Sequence, residues 1–291
     1  MSLKSIRKRK SSITTTRKIT SAMKLVASAK FSKALSDLSR SKELESIVRS
    51  VLDTAAAHWF VEKGSLMEVR AFRAAPSERG KVLLIILSSE QGLCGSFNEN
   101  MMAMAARVVK ESMSSNKSVK IFCIGRKGRE KMHKVCGSIV DGCDISYFSF
   151  SDAISAMRSG VRMFECKNIE ELVVVYSTFK SVLRQRPTSI RLLPMELNVQ
   201  PPKNIVNGGA ISCSDEDGVL SKALLAFLES RFFSLLKEHE ASENGARVMA
   251  MNTATDNAND LIQKLELQYN RLRQNMVTKE LIEIISGADS V

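Results

Sequence analysis

Arg247-Val-Met-Ala-Met-Asn252, Thr253-Ala-Thr-Asp-Asn257, Leu261-Ile-Gln-Lys-Leu-Glu-Leu-Gln-Tyr-Asn-Arg-Leu-Arg-Gln274 and Thr278-Lys-Glu-Leu-Ile-Glu-Ile-Ile285 follow one another near the end of the chain. Ala258, Leu261, Ile262, Leu265, Tyr269, Leu272 and Met276 recur there at steps of three or four, so one apolar seam runs along a helix whose other faces carry Gln, Lys, Glu, Asn and Arg. Strong helix formers without proline extend from about Asp217 to Ser286, which at about 1.5 Å per residue predicts a helix roughly 100 Å long. Such a helix either breaks or lies against another long one. Gly245 is one candidate break, and Thr253-Ala-Thr-Asp256 reads as a capping box that would start a new helix.

The other end of the chain supplies a partner. No proline or glycine occurs from Met1 to Val61, and an imperfect seam of Leu3, Ile6, Ile13, Ile19, Met23, Val26 and Ala27 accompanies a helix of roughly 90 Å. The net charge of +12 is concentrated here: residues 1–49 carry thirteen Lys and Arg against Asp37, Glu43 and Glu45. A basic, Ser/Thr-rich start reads in three ways: a transit peptide, a phosphate-neutralising nucleic-acid arm, or a structural helix with solvated charges. The uninterrupted helical composition favours the third.

Between the two helices the pattern changes. Pro76, Ser77 and Gly80 mark a linker, after which short aliphatic runs alternate with helical stretches. Val82–Leu87, Val119–Ile124, Leu172–Tyr176 and Ile190–Leu193 read as strands, which predicts an α/β layer with parallel neighbours. Pro201-Pro202 and Asn207-Gly-Gly-Ala210 break the chain again. The expected fold is a long antiparallel coiled coil of N- and C-terminal helices with an inserted Rossmann-like α/β domain. Its boundaries are 1–61 for the first helix, 62–79 for a linker, 80–200 for the domain, 201–215 for a loop and 216–291 for the last helix.

Signals of chemistry are weak. The loop Glu90-Gln-Gly-Leu-Cys-Gly-Ser-Phe-Asn98 lacks both the Gly-x-Gly-x-x-Gly spacing and a Gly-Lys-Ser/Thr ending, so a nucleotide-dependent enzyme is a poor reading. Gly125-Arg-Lys-Gly128 has the spacing of an RNA-clamping loop, but four residues at a strand-to-helix turn occur by chance and a tight turn is the better reading. His58, His133 and His239 are isolated from ligand or triad spacings. Cys94 has no base supplied by motif and reads as a small buried hydrophobe, and the six cysteines show no zinc or Cys-x-x-Cys pattern, so no metal or cofactor is expected. The longest aliphatic run, Val82–Leu87, is too short to cross a bilayer, and no secretory signal is present.

Three stretches taken together resemble the gamma subunit of F-type ATP synthases. They are Ile13-Thr-Thr-Thr-Arg-Lys-Ile-Thr-Ser-Ala-Met-Lys-Leu-Val-Ala-Ser-Ala-Lys30, Gly92-Leu-Cys-Gly-Ser-Phe-Asn98, and Ala246-Arg-Val-Met-Ala-Met251 through Glu283. They occur in the family's order and span nearly the whole chain. The resemblance implies a non-catalytic rotary shaft inside a hexamer of alpha and beta subunits, with the α/β domain as its foot beside the epsilon subunit on the membrane c-ring. It also implies that residues near Met1 belong to the mature shaft, with no nucleic-acid partner. The expected place is peripheral, on the cytoplasmic face of a bacterial inner membrane, with the matrix side of the mitochondrial inner membrane as the alternative. By this likeness Met23 and Lys24 meet beta subunits low on the shaft with Arg247 opposite them, and Gln274, Thr278 and Glu280 form an upper contact. Three departures stand out. Ser89-Glu-Gln replaces the usual Ser-Asp-Arg, the aromatic-Glu-Pro motif before the last helix is missing, and Gly245 stands where alanine is common. The rival readings are a basic helical nucleic-acid-binding protein and a nucleotide-dependent enzyme.

Overall fold

The computed structural model describes residues 2–63, 69–72, 80–136, 140–141, 150–195 and 216–288. The expected linker breakers Pro76 and Ser77 and the expected loop 201–215 lie outside the described residues. The first helix, α1 (Leu3–Lys63), and the last, α5 (Glu216–Ala288), are both continuous, 61 and 73 residues long. Neither proposed break exists. The expected capping box Thr253–Asp256 lies inside the unbroken α5, where Asp256 accepts from Asn252 at 3.0 Å and the Thr255 hydroxyl bonds the Met251 carbonyl at 2.7 Å and Thr20 of α1 at 2.9 Å. Gly245 faces Phe31, Gln185 and Phe179, which a Cβ there would meet at ordinary van der Waals distances of 3.4–3.7 Å, so the helix runs through it without a packing need for glycine.

The helices run antiparallel in one register. Lys10 pairs with Glu266 at 2.7 Å, Arg17 bonds Asn259 at 3.3 Å, Lys24 bonds Asn252 at 2.5 Å and Glu45 meets Arg231 at 2.6 Å. Small residues dominate the buried seam: Ala27, Ala34 and Ala56 with Ile6, Leu38 and Leu52 on α1, and Ala241, Ala258 and Leu265 on α5. Two helices alone cover only a narrow stripe of each other. The sequence seam was therefore too wide: Ile19 and Val26 are 54% and 58% exposed, and Leu261 and Met276 are exposed as well.

The inserted domain is a five-stranded sheet in the order β3-β2-β1-β4-β5. β1 (Lys81–Leu87) lies between β2 (Ser118–Ile124) and β4 (Glu171–Ser181) with both partners parallel, and the short β3 (Val140–Asp141) adds to β2. β5 (Arg184–Leu193) departs from the parallel expectation, since it is the antiparallel arm of a hairpin with β4. A two-residue connection at Val182-Leu183 leaves no room for a crossover. Alternation along β1 feeds two cores. Leu83, Ile85 and Leu87 face α4 (Phe150–Glu165) and the lower part of α5, through Met157, Phe164, Leu228, Phe232 and Leu235. Leu84 and Ile86 face α2 (Phe97–Ser114) and α3 (Arg126–Cys136), through Met101, Ala105 and Met132. The lower half of α5 is thus one layer of the domain, and its upper half is shaft.

Candidate functional site

Strand order reverses between β1 and β4, and in such sheets the crevice beyond their carboxyl ends is where a ligand would enter. Here α5 occupies it. β1 accompanies β4 only from Glu171 to Val175, so from Tyr176 onward the edge of β4 presents unpaired backbone groups. Side chains of α5 satisfy them: Ser177 N–H donates to His239 Nδ1 at 3.3 Å, the Ser242 hydroxyl donates to Ser177 O at 3.0 Å, and Phe179 N–H donates to Glu238 Oε1 at 3.2 Å. His239 is fully buried beside the Ser88 backbone and 5.2 Å from the Phe97 ring, and burial lowers its pKa to about 3. It is a neutral packing group.

The glycine loop is bound to the same helix. Arg247, 8% exposed, donates through Nε to Gly92 O at 3.4 Å and through Nη2 to Gln91 O at 3.3 Å. It also reaches Asn244 Oδ1 at 2.9 Å and Glu243 Oε1 at 2.5 Å. Burial pushes the Glu243 carboxyl up, against the pull of Arg247. The loop turns through left-handed conformations at Leu93 and Gly95, with φ of 64° and 60°. Inside it Asn98 accepts from Ser89 N–H at 3.2 Å and donates to Cys94 Sγ at 3.3 Å. The Cys94 thiol is pushed up by burial first and by Glu243 second, the reverse of what an activated nucleophile needs.

Gly125 and Gly128 are packing glycines. Gly125 has φ of +100°, and a Cβ there would lie 2.2 Å from Ser88 O; one on Gly128 would lie 2.4 Å from Ser88 Oγ. Gly128 N–H already donates to Ser88 Oγ at 2.9 Å, so it is not offered to a phosphate. The Glu90 carboxylate accepts from Arg126 N–H at 3.2 Å at the start of α3.

The residues singled out from sequence fall in three places. Met23 and Lys24 are half-buried on α1, and the Lys24 ammonium is held by Asn252. Arg247 lies lower on α5 and points into the glycine loop, where it makes four hydrogen bonds within the chain. Gln274, Thr278 and Glu280 are exposed on the part of α5 that continues past the start of α1. Given the Lys10–Glu266 pairing, about fifteen residues, roughly 22 Å, extend unaccompanied. Leu281, Ile282 and Ile284 are exposed there. His239, isolated from any ligand or triad spacing in the sequence, is a packing group, and sequence reasoning missed its neighbours Glu238, Ser242, Glu243 and Asn244. The available signal was a polar face, at helical spacing, continuing the apolar one of Leu228, Phe232 and Leu235.

A family model described as ATP synthase matches residues 2–291. The ATP synthase gamma chain of Geotalea daltonii is 36% identical over 299 aligned positions, covering 100% of this chain and 99% of that one. The gamma chain of Fuscovulum blasticum is 34% identical over 295, with the same coverage. Among solved structures, the central stalk of the Tetrahymena thermophila mitochondrial ATP synthase superposes with a TM-score of 0.59 at 20% identity. The match covers 81% of this chain and 99% of that one. The rotor of the Euglena gracilis enzyme gives 0.58 at 15% identity, covering 94% and 98%. At these identities the structural likeness speaks for the fold.

Proposed function

Since the chain belongs to the ATP synthase gamma chain family, we propose that it is the rotary central-stalk subunit that couples turning of a membrane ring to conformational change in the catalytic beta subunits. The observation that carries this reading is the continuity of α5. One unbroken helix is a layer of the foot domain, then half of a two-helix shaft, then a single exposed tip. A torque applied to the foot reaches the tip without crossing a hinge.

An asymmetric shaft presents a different face to each of three equivalent surrounding subunits, so each prefers a different conformation, and rotation permutes those preferences. The chain's own contribution is mechanical. The crevice at the strand-order reversal, suited by topology to a nucleotide, is filled by His239 and its neighbours, which supports placing the chemistry on the partner subunits. Alpha and beta subunits would surround the shaft, and the epsilon subunit and c-ring would meet the foot. No helix among the described residues is long and apolar enough to cross a membrane, and the membrane contact in this reading is made through the ring. The cytoplasmic face of a bacterial inner membrane is the proposed place, with the mitochondrial matrix face as the alternative.

Met23 and Lys24 as a lower contact and Gln274, Thr278 and Glu280 as an upper contact are the proposed bearings. Their exposure supports the upper set, and the hold of Asn252 on Lys24 makes the lower set a stiffened surface. Arg247 is a poorer lever than its position in the family pattern implies, because its cation is spent on the chain's own loop. The test is co-purification of the tagged chain from its native membranes, with ATP hydrolysis assayed in the recovered complex. Recovery of alpha and beta subunits whose ATPase is lost on deleting this chain is the expected result. ATPase that persists without it, or recovery with nucleic acid alone, sinks the reading.

A further inference from the structure

Two projections of the inserted domain reach the shaft at nearly one height. The glycine loop after β1 meets α5 between Arg247 and Ala250: Arg247 holds the carbonyls of Gln91 and Gly92, and a Cβ on Gly95 would lie 3.8 Å from the Ala250 side chain. The β4–β5 hairpin meets α5 just below, at Gly245. Its ladder continues to Ser181↔Arg184 although β1 ends opposite Val175, and Gln185 lies against that glycine. The hairpin also touches α1, where Phe179 packs on Phe31 with ring centroids 5.6 Å apart and planes tilted by 55°.

Both projections are braced from within. Across the hairpin the Thr178 hydroxyl donates to the Thr188 hydroxyl at 2.9 Å, the Gln185 amide donates to the Val182 carbonyl, and Phe179 N–H donates to Glu238 of α5 at 3.2 Å. In the loop Asn98 ties Ser89 to Cys94. A hydrogen-bonded hairpin resists bending far better than a single strand could.

The two helices depend on this grip differently. α5 is itself a layer of the domain. α1 leans on the hairpin at Phe31 and, roughly 30 Å further down, packs at Leu52 and Ala56 with Phe72. Lys24 stands about 10 Å above Phe31 on the same helix, with Met23 beside it. A side force on that proposed lower bearing therefore acts close to the upper support, and without Phe31 it falls on α5 and Arg247 alone. Gly245, opposite, has no side chain to take the place of the ring. We infer that the glycine loop and the β4–β5 hairpin form a collar that steadies the shaft just below Met23 and Lys24, with Phe31 as the positioning residue that ties α1 into it.

The role of the collar in coupling rests on the proposed function, and the experiment separates the two. In the isolated full chain, amide exchange over residues 177–186 is compared between F31A and the unsubstituted protein. Exchange there should quicken although the substitution lies on another element; unchanged exchange overturns the collar. In membrane vesicles carrying the assembled complex, protons pumped are then measured against ATP hydrolysed. The ratio should fall about twofold in F31A and in F179A, no further in the double variant, and should return in F31L, which restores bulk at the same place. A general loss of stability would lower pumping and hydrolysis together and leave the ratio alone. An unchanged ratio in complexes that contain alpha and beta subunits, an additive loss in the double variant, or a deficit in F31L equal to that of F31A overturns the inference. Failure to recover those subunits with the unsubstituted chain would instead overturn the rotor reading, and with it the coupling role, while the exchange comparison still decides the collar itself.

Discussion

Arg247→Gln is the most informative single change. The arginine gives four bonds, two of them to the carbonyls of Gln91 and Gly92, and it is the counter-charge of Glu243, whose side chain is 9% exposed. Removing one member of a buried ion pair costs about 3–5 kcal/mol, because the other charge is left without compensation. Glutamine can keep one of the lost bonds, which points to the lower end of that range. The penalty has a pH signature. Burial already raises Glu243, and loss of Arg247 removes the force that opposes this. With its folded pKa above its unfolded value, the carboxyl binds its proton more tightly in the folded state. Stability therefore falls as pH rises from about 4.3 upward. The deficit relative to the unsubstituted chain should be largest near neutral pH and should shrink toward about pH 5. His239 contributes equally to both proteins and cancels in the difference. Urea unfolding followed by helical ellipticity measures the deficit, and amide exchange over residues 88–98 reports whether the loop is released. The double variant E243Q/R247Q, with no stranded charge, should recover about 1–3 kcal/mol. Equal deficits at both pH values, or a double variant no better than the single one, would refute the reasoning.

Other outcomes follow from the same packing. Gly245→Ala should stabilise the chain by up to about 1 kcal/mol: its Cβ meets Phe31, Gln185 and Phe179 at 3.4, 3.6 and 3.7 Å, and melting of the variant against the unsubstituted chain checks it. Gly125→Ala should cost more than about 2 kcal/mol, because a left-handed backbone and a 2.2 Å approach to Ser88 O both oppose a side chain; loss of cooperative unfolding of the α/β domain would show it. His239, with a folded pKa of about 3 against an ordinary 6.5, lets the unfolded chain bind the extra proton between those values. Its contribution is full above about pH 6.5 and is lost on acidification at about 1.4 kcal/mol per pH unit, a slope that His239→Gln should remove from a stability–pH titration. Glu280→Lys should leave unfolding unchanged, since the residue is exposed past the helix pair, while lowering ATP-driven proton pumping per ATP hydrolysed in the assembled complex.

Much of the architecture was legible in one dimension because it depends on local rules. Two proline-free helical stretches flanking alternating aliphatic runs are enough to give long helices around an α/β insert, and the aliphatic runs of β1 and β2 need no partner to be recognised. Gln274, Thr278 and Glu280 were singled out by the resemblance alone, and the structure places them exposed on α5. The helix continuity through Gly245 and Thr253–Asp256 was not legible, because packing across the helix pair outweighs the local break signals there: Gly245 lies against Phe31, and Thr255 beside the expected cap bonds Thr20. The hairpin direction of β5 depended on the short turn after Ser181, a choice made by chain reversal and not by strand composition.

The chain alone determined which segments are helix and strand and where positive charge accumulates, since propensity, periodicity and charge are properties of neighbours in sequence. Only the tertiary structure decided that Arg247 turns inward to Gln91 and Gly92 and that His239 and Ser242 close the edge of β4. These pairings join residues more than sixty positions apart, and their free energies exist only once burial has removed water from both partners.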